Sequence, residues 1–304
     1  MAELWRTGRQ ATPMVATTGK IAITVSLYLA LGALPIVHQG FVVEFEIVLV
    51  TLASILFGVP GSFGAGIGTL ATSAVQGPIA PYDVFRGTSY LFVGYITASL
   101  WQSRGVVSLI ETEHLCSRWR YFPVAMVVTA IAAALLAVIG GWIQEMTRHS
   151  TFAASVWIQS SDVFSASIVV PTAVVLSYSL LDRYELDIGR HPGENRTGVA
   201  FSSRGVGATA VVVLAWLIGG IGISLLYHAF GIVTEGYFNA RGLDLLLVLK
   251  REALFGPGGV RLQALFGAVM FGLLCALLVR FRIESGTGTR KTDAAAIQYR
   301  GGDG

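Results

Sequence analysis

The run "YFPVAMVVTAIAAALLAVIGGWI", residues 121–143, contains no charged residue. Few folds accept such a run. About 20 apolar residues in a helix cross a bilayer core. Within lipid, a single segment satisfies its own backbone N–H and C=O groups only as a helix. The same pattern recurs along the chain. We read spans at 21–37, 41–57, 61–76, 87–103, 121–143, 162–181, 207–230 and 262–280. Spans two to four are short and closely spaced, so they must pack among neighbours or thin the bilayer. Of the 304 residues, 54% are hydrophobic and 13% charged, against about 25% charged in a soluble domain. The expected fold class is therefore all-α and integral to the membrane, a polytopic bundle of about eight transmembrane helices.

Charge placement sets the orientation. With the N-terminus inside, the inner segments carry 15 of the 21 Lys and Arg residues and the outer segments carry 6. That bias favours both termini on the cytoplasmic side of the cell (plasma) membrane. The segment "MAELWRTGRQATPMVATTGK" does not read as a signal peptide, because its polar part is long and no small-residue cleavage pattern ends the apolar stretch after it. The longest polar linker, "DRYELDIGRHPGENRTGVAFSSRG", divides the chain. We expect a six-helix membrane domain over 1–185, a cytoplasmic linker over 186–206, a two-helix extension over 207–282 and a disordered tail over 283–304. The sequon at Asn195 falls on the inner side and is expected to stay unmodified. Within the extension, "LDLLLVLKREALFG" (243–256) is apolar but interrupted by Lys250, Arg251 and Glu252. It reads as a helix lying in the outer interface.

"FGVPGSFGAGIGTLATSAVQG", residues 57–77, crowds Gly61, Gly64, Gly66 and Gly68 into eight positions. A dinucleotide fingerprint needs a flanking strand and helix in a soluble α/β unit, and a phosphate loop needs a following Gly-Lys-Ser/Thr. Neither context is present. In a membrane the stretch reads as a tight inner turn at Pro60 and Gly61. Beyond it Gly61, Gly64 and Gly68 recur at helical spacing, a pattern that lets backbones approach closely.

A second small-residue stripe lies in the first span, "IAITVSLYLALGAL". Ala22, Ser26 and Ala30 are four apart, and four residues advance a helix by about 400°, so the three share one face. The partner across that face is either internal or a second protein. Together these two stretches resemble substrate-binding S components of energy-coupling-factor (ECF) transporters. In that family the second span ends in a Phe-Gly-Pro-like turn, and the third opens with spaced glycines. Here Val59 stands between Gly58 and Pro60. The resemblance covers 1–185 and implies a six-helix core with both termini inside. It also implies that Ala22, Ser26 and Ala30 dock a transmembrane coupling protein served by ATPase subunits, with Ser26 in place of one family alanine. Helices seven and eight lie outside the family pattern.

Polar groups inside a membrane are functional candidates. His38 lies in the first outer loop, with Glu44 and Glu46 after it. Glu44 and Glu46 are two residues apart on a helix and point about 200° from each other, so they do not line one cavity. Glu46, the deeper one, is the candidate; its structural alternative is a solvated interfacial carboxylate. In "SVWIQSSDVF", Trp157 suits a stacking platform, with Gln159 and Asp162 as hydrogen-bond partners. The structural alternative is a cap made by Ser160 or Ser161, with Asp162 at the positive helix end. Asp83 and Arg86 either pair or form part of a lid. The candidate substrate-binding set is thus His38, Glu46, Asp83, Trp157, Gln159 and Asp162, with Glu46, Trp157 and Asp162 expected to approach one outer-facing cavity.

Other chemistries find little support. There is no Gly-x-Ser-x-Gly elbow and no His-Glu-x-x-His helix. His114 with Glu111 and Glu113 reads as a solvated loop, Cys116 and Cys275 lack metal spacing, and no lysine sits within a span to hold retinal. There is no basic run for nucleic acid. No catalytic residue, metal or cofactor is expected. The resulting expectation is a non-enzymatic membrane subunit that captures a small molecule, such as a vitamin or its precursor, for uptake energised by separate coupling and ATPase proteins. A membrane sensory or interaction module is the alternative.

Overall fold

The computed structural model describes residues 13–32, 36–38, 41–43, 45–103, 121–147, 150–183, 203–238 and 261–280. Glu44, the linker between 184 and 202, the expected interfacial helix at 243–256 and the tail lie outside the described residues, as does the loop holding His114.

Eight helices occur among the described residues. They are α1 (Pro13–Leu27, continued by a π-helical turn Tyr28–Gly32), α2 (Phe45–Phe57), α3 (Val59–Gln76), α4 (Pro81–Trp101), α5 (Tyr121–Met146), α6 (Phe152–Arg183), α7 (Ser203–Phe238) and α8 (Arg261–Arg280). A short antiparallel ribbon, β1 (Ile36–His38) with β2 (Phe41–Val43), lies between α1 and α2; His38 pairs with Phe41. Stretches of α5, α6, α7 and α8 are long and apolar enough to cross a membrane, and α1 and α2 are shorter apolar helices. Each sequence-read span has a helix, but the boundaries differ. The largest shift is at α6, which begins at Phe152, not at 162. The true start is set by Thr151, whose Oγ1 accepts from the Ala154 N–H at 3.3 Å, an N-cap bond. Ser160, Ser161 and Asp162 therefore lie inside the helix, and the capping reading of those residues is corrected.

Contacts group the described residues into two compact units. Unit 1 holds those up to Trp101 together with 121–136 and 161–183. Unit 2 holds 102–103, 137–147, 150–160, 203–238 and 261–280. A cut at the polar linker would have placed 137–160 with the first six helices; by contact these residues group with α7 and α8.

Unit 1 is built around two unlike helices. α2 carries Ile47, Val48, Val50, Thr51 and Ile55, β-branched residues that lower helix propensity, yet it is helical and has no exposed residue. A helix that is apolar all round belongs in the interior. α3 is the opposite case: its glycines face inward, while Phe63 and Ile67 remain 45% and 47% exposed. A side chain at Gly64 would meet Thr24 of α1 at 2.5 Å, one at Gly68 would meet Tyr28 at 2.6 Å, and one at Gly61 would collide with the Ala53 carbonyl. On another face of α3, a side chain at Gly66 would meet the Gly87 carbonyl of α4 at 2.9 Å. The absence of side chains thus lets three helices close on α3, the packing mode that operates where lipid supplies no hydrophobic drive. Five buried threonine hydroxyls are satisfied locally, whereas that of Thr129 has no hydrogen-bond partner. Thr24, Thr51, Thr69, Thr72 and Thr97 each donate to the carbonyl four residues earlier at 2.8–3.0 Å.

The α2–α3 turn depends on Gly58, which has φ 67° and ψ −142°, a region open almost only to glycine. Its N–H donates to the Ser54 carbonyl at 3.0 Å, and its own carbonyl accepts from Ser62 N–H at 3.2 Å. Pro60, in the first turn of α3, lacks only a donor that the helix would leave orphaned anyway. Gly58→Ala is expected to destabilise the protein by about 1–3 kcal/mol, read as a lower midpoint of thermal unfolding in detergent. A wild-type midpoint would show that the turn tolerates another conformation.

Candidate functional site

One end of unit 1 collects the polar groups. α1 arrives there with Tyr28, the ribbon follows, α2 leaves with Glu46 in its first turn, and α3 ends nearby with Thr72 and Ser73. α4 begins there, with Arg86 in its second turn and Tyr90 one turn further on. Arg86 Nη2 lies 2.7 Å from Glu46 Oε2, and the Glu46 side chain is 5% exposed against 27% for Arg86. The contact is an ion pair by distance, without the alignment of a hydrogen bond at that oxygen. The Arg86 Cζ also stands 5.9 Å from the centre of the Tyr90 ring, within cation–π range.

Tyr28 locks this group to the scaffold. It is fully buried, donates from its hydroxyl to the Glu46 carbonyl at 3.1 Å, and meets Tyr90 edge to face at 6.5 Å. Its own carbonyl accepts from Thr72 Oγ1 at 3.3 Å. Tyr28 opens the π-helical turn, and such turns loosen the regular ladder of backbone bonds. Gly68, which has no side chain, leaves room for the Tyr28 ring.

The sequence-read candidates separate on this frame. Glu46 is central. Arg86 pairs with Glu46, not with Asp83, which was one of its two readings. Asp83 serves the helix start instead: its carboxylate accepts from Ala80 N–H at 2.7 Å and from Ser73 Oγ at 3.0 Å, the reach-back bond of a capping box. His38 ends β1 at the ribbon. Asp162 is buried in α6 within unit 1. Trp157 belongs to unit 2 and is 80% exposed, so within that unit it is no enclosed stacking platform. Gln159, also in unit 2, lies against Gly140, whose missing side chain would sit 3.0 Å from its amide nitrogen. Ala22, Ser26 and Ala30 are all exposed on α1, opposite the buried Thr24 and Tyr28. Among the described residues no group of His, Cys, Asp and Glu is placed to hold a metal ion.

Sequence reasoning missed the two tyrosines and the pairing of Arg86 with Glu46. The available signal was Tyr28, an aromatic residue with a polar tip inside a span free of charge. Unit 2 adds a feature of its own. Phe152 fills the space left by Gly141 and Gly220, and Trp142 sits on Gly267. Trp142 meets Trp216 at 5.8 Å and stacks near Phe271 at 6.3 Å. Within this apolar unit Gln263 is fully buried, and neither its Oε1 nor its Nε2 has a hydrogen-bond partner.

A buried amide without partners costs about 1–3 kcal/mol. Gln263→Leu is of similar volume and removes that cost. The variant is expected to unfold at the wild-type temperature or above it. A fall in stability of more than about 1 kcal/mol would mean that the amide is paired in the native protein.

Comparison with protein-family models, curated proteins and solved structures gives no match.

Proposed function

We propose that this chain is a multi-pass protein of the cell membrane, with both termini in the cytoplasm, that captures a small molecule at the ribbon end of unit 1 for uptake. The Glu46–Arg86 pair carries the reading. Ionisable groups among membrane helices are costly and mark substrate or ion pathways. A pair kept only for stability would be weak economy, because apolar replacements of both partners are often neutral or stabilising. This pair sits beside two tyrosines, an arrangement of charge and aromatic surface suited to orienting a small ligand. The exposed stripe of Ala22, Ser26 and Ala30 supports an external helix as partner, since small side chains gain contact from a helix and little from acyl chains. In this reading the partner is a transmembrane coupling protein with separate ATPase subunits, as the resemblance to ECF S components implies, and α7 and α8 are an addition to that plan.

Native mass spectrometry of protein purified gently from membranes tests the proposal. The wild type is expected to carry a small-molecule adduct, and a folded Glu46→Ala variant to lose it. Identical spectra from the two proteins, with or without an adduct, would contradict the assignment of the site.

A further inference from the structure

The asymmetry of the ion pair indicates what kind of ligand the site accepts. Glu46 is the fixed member. Its side chain is short and 5% exposed, its helix has no exposed residue, and its backbone carbonyl is held by Tyr28 at 3.1 Å. Arg86 is the movable member, with a long side chain that is already 27% exposed. Its guanidinium occupies a place bounded by a carboxylate at 2.7 Å and an aromatic face at 5.9 Å, with the Tyr28 ring edge-on to that aromatic ring. Carboxylate and aromatic face together form the complement of a positively charged nitrogen.

Resting on the reading that this end of unit 1 binds a small molecule, we propose that the ligand is an organic cation whose ammonium, amidinium or guanidinium group takes the place of Arg86 against Glu46. The exchange keeps the buried carboxylate neutralised throughout, while Arg86 turns toward water, where its charge is solvated. The competing classes fail on charge. An anion at Arg86 adds a second negative charge beside a carboxylate shielded from solvent, and a neutral ligand that displaces Arg86 removes a positive charge from that buried carboxylate without replacing it. Arg86 is then a tethered competitor that fills the empty site. Shortening it should strengthen binding, whereas a ligand-binding arginine would show the reverse.

Three molecules of one shape and different charge separate these cases: benzamidinium, benzamide and benzoate, each titrated calorimetrically into the full chain in nanodiscs. Benzamidinium is expected to bind, at least tenfold more tightly to Arg86→Gln than to the wild type and not measurably to Glu46→Gln; benzamide and benzoate are not expected to bind. The wild type offers a readout that needs no variant to fold. Saturating benzamidinium should speed modification of Arg86 by phenylglyoxal, followed by peptide mass spectrometry. The proposal is overturned if benzoate binds and Arg86→Gln abolishes it, if benzamidinium binds Glu46→Gln as well as the wild type, or if benzamidinium leaves the Arg86 modification rate unchanged. Should benzamidinium fail while a native adduct still depends on Glu46, the cation assignment falls and the capture function stands. An adduct indifferent to Glu46 removes both.

Discussion

A charge pair between Glu46 and Arg86 constrains the rest of unit 1. A carboxylate at 5% exposure among apolar helices has to be neutralised, and its partner must arrive from another helix at a fixed depth. α4 supplies Arg86 from its second turn, and Asp83 fixes where that helix begins through Ala80 and Ser73. Tyr28 holds the first turn of α2 by its hydroxyl and α3 by its carbonyl. Losing any of these contacts would move one member of the pair relative to the other. Because the Coulomb attraction falls with distance and rises in a low-dielectric interior, small movements there matter more than they would at a wet surface.

Close packing by glycine makes that arrangement possible. The Tyr28 ring occupies the space that a side chain at Gly68 would need, and Thr24 does the same at Gly64. The large residues of α3, Phe63 and Ile67, point away from the unit. Small residues inward and large apolar residues outward invert the pattern of a water-soluble helix and match the packing used by helices that cross membranes. Unit 2 follows the same rule with aromatic side chains, Phe152 on Gly141 and Gly220 and Trp142 on Gly267.

Much of the helical architecture was legible because long charge-free runs leave the backbone one way to satisfy itself in lipid. The eight runs each correspond to a helix, and four helices carry stretches long and apolar enough to cross a membrane. Helix ends were less legible. The start of α6 depends on a threonine hydroxyl eleven residues ahead of the apolar run, and serines and an aspartate inside the helix offered a more obvious cap. The site was legible only in part. Glu46 stood out as a carboxylate at the head of an apolar run, but its partner was 40 positions away in sequence, and the nearer Asp83 offered a local pairing. Tyr28 gave a weak signal, since an aromatic residue in a span is ordinarily just apolar surface. Pairings across helices follow from the close approach at Gly64, Gly66 and Gly68, which a reading of single segments does not resolve.

The central claim is that Glu46 and Arg86 act as a coupled unit. A double-mutant cycle on unfolding free energy, with Glu46→Gln, Arg86→Gln and the double variant in one detergent, tests it most directly. Breaking a buried pair on one side typically costs about 3–5 kcal/mol, less here because Arg86 reaches solvent. The account predicts that each single variant is clearly destabilised, that the double variant recovers much of the loss, and that the coupling energy exceeds roughly 1 kcal/mol, within the range for residues in contact. Additive effects, with a coupling energy below about 0.5 kcal/mol, would contradict it.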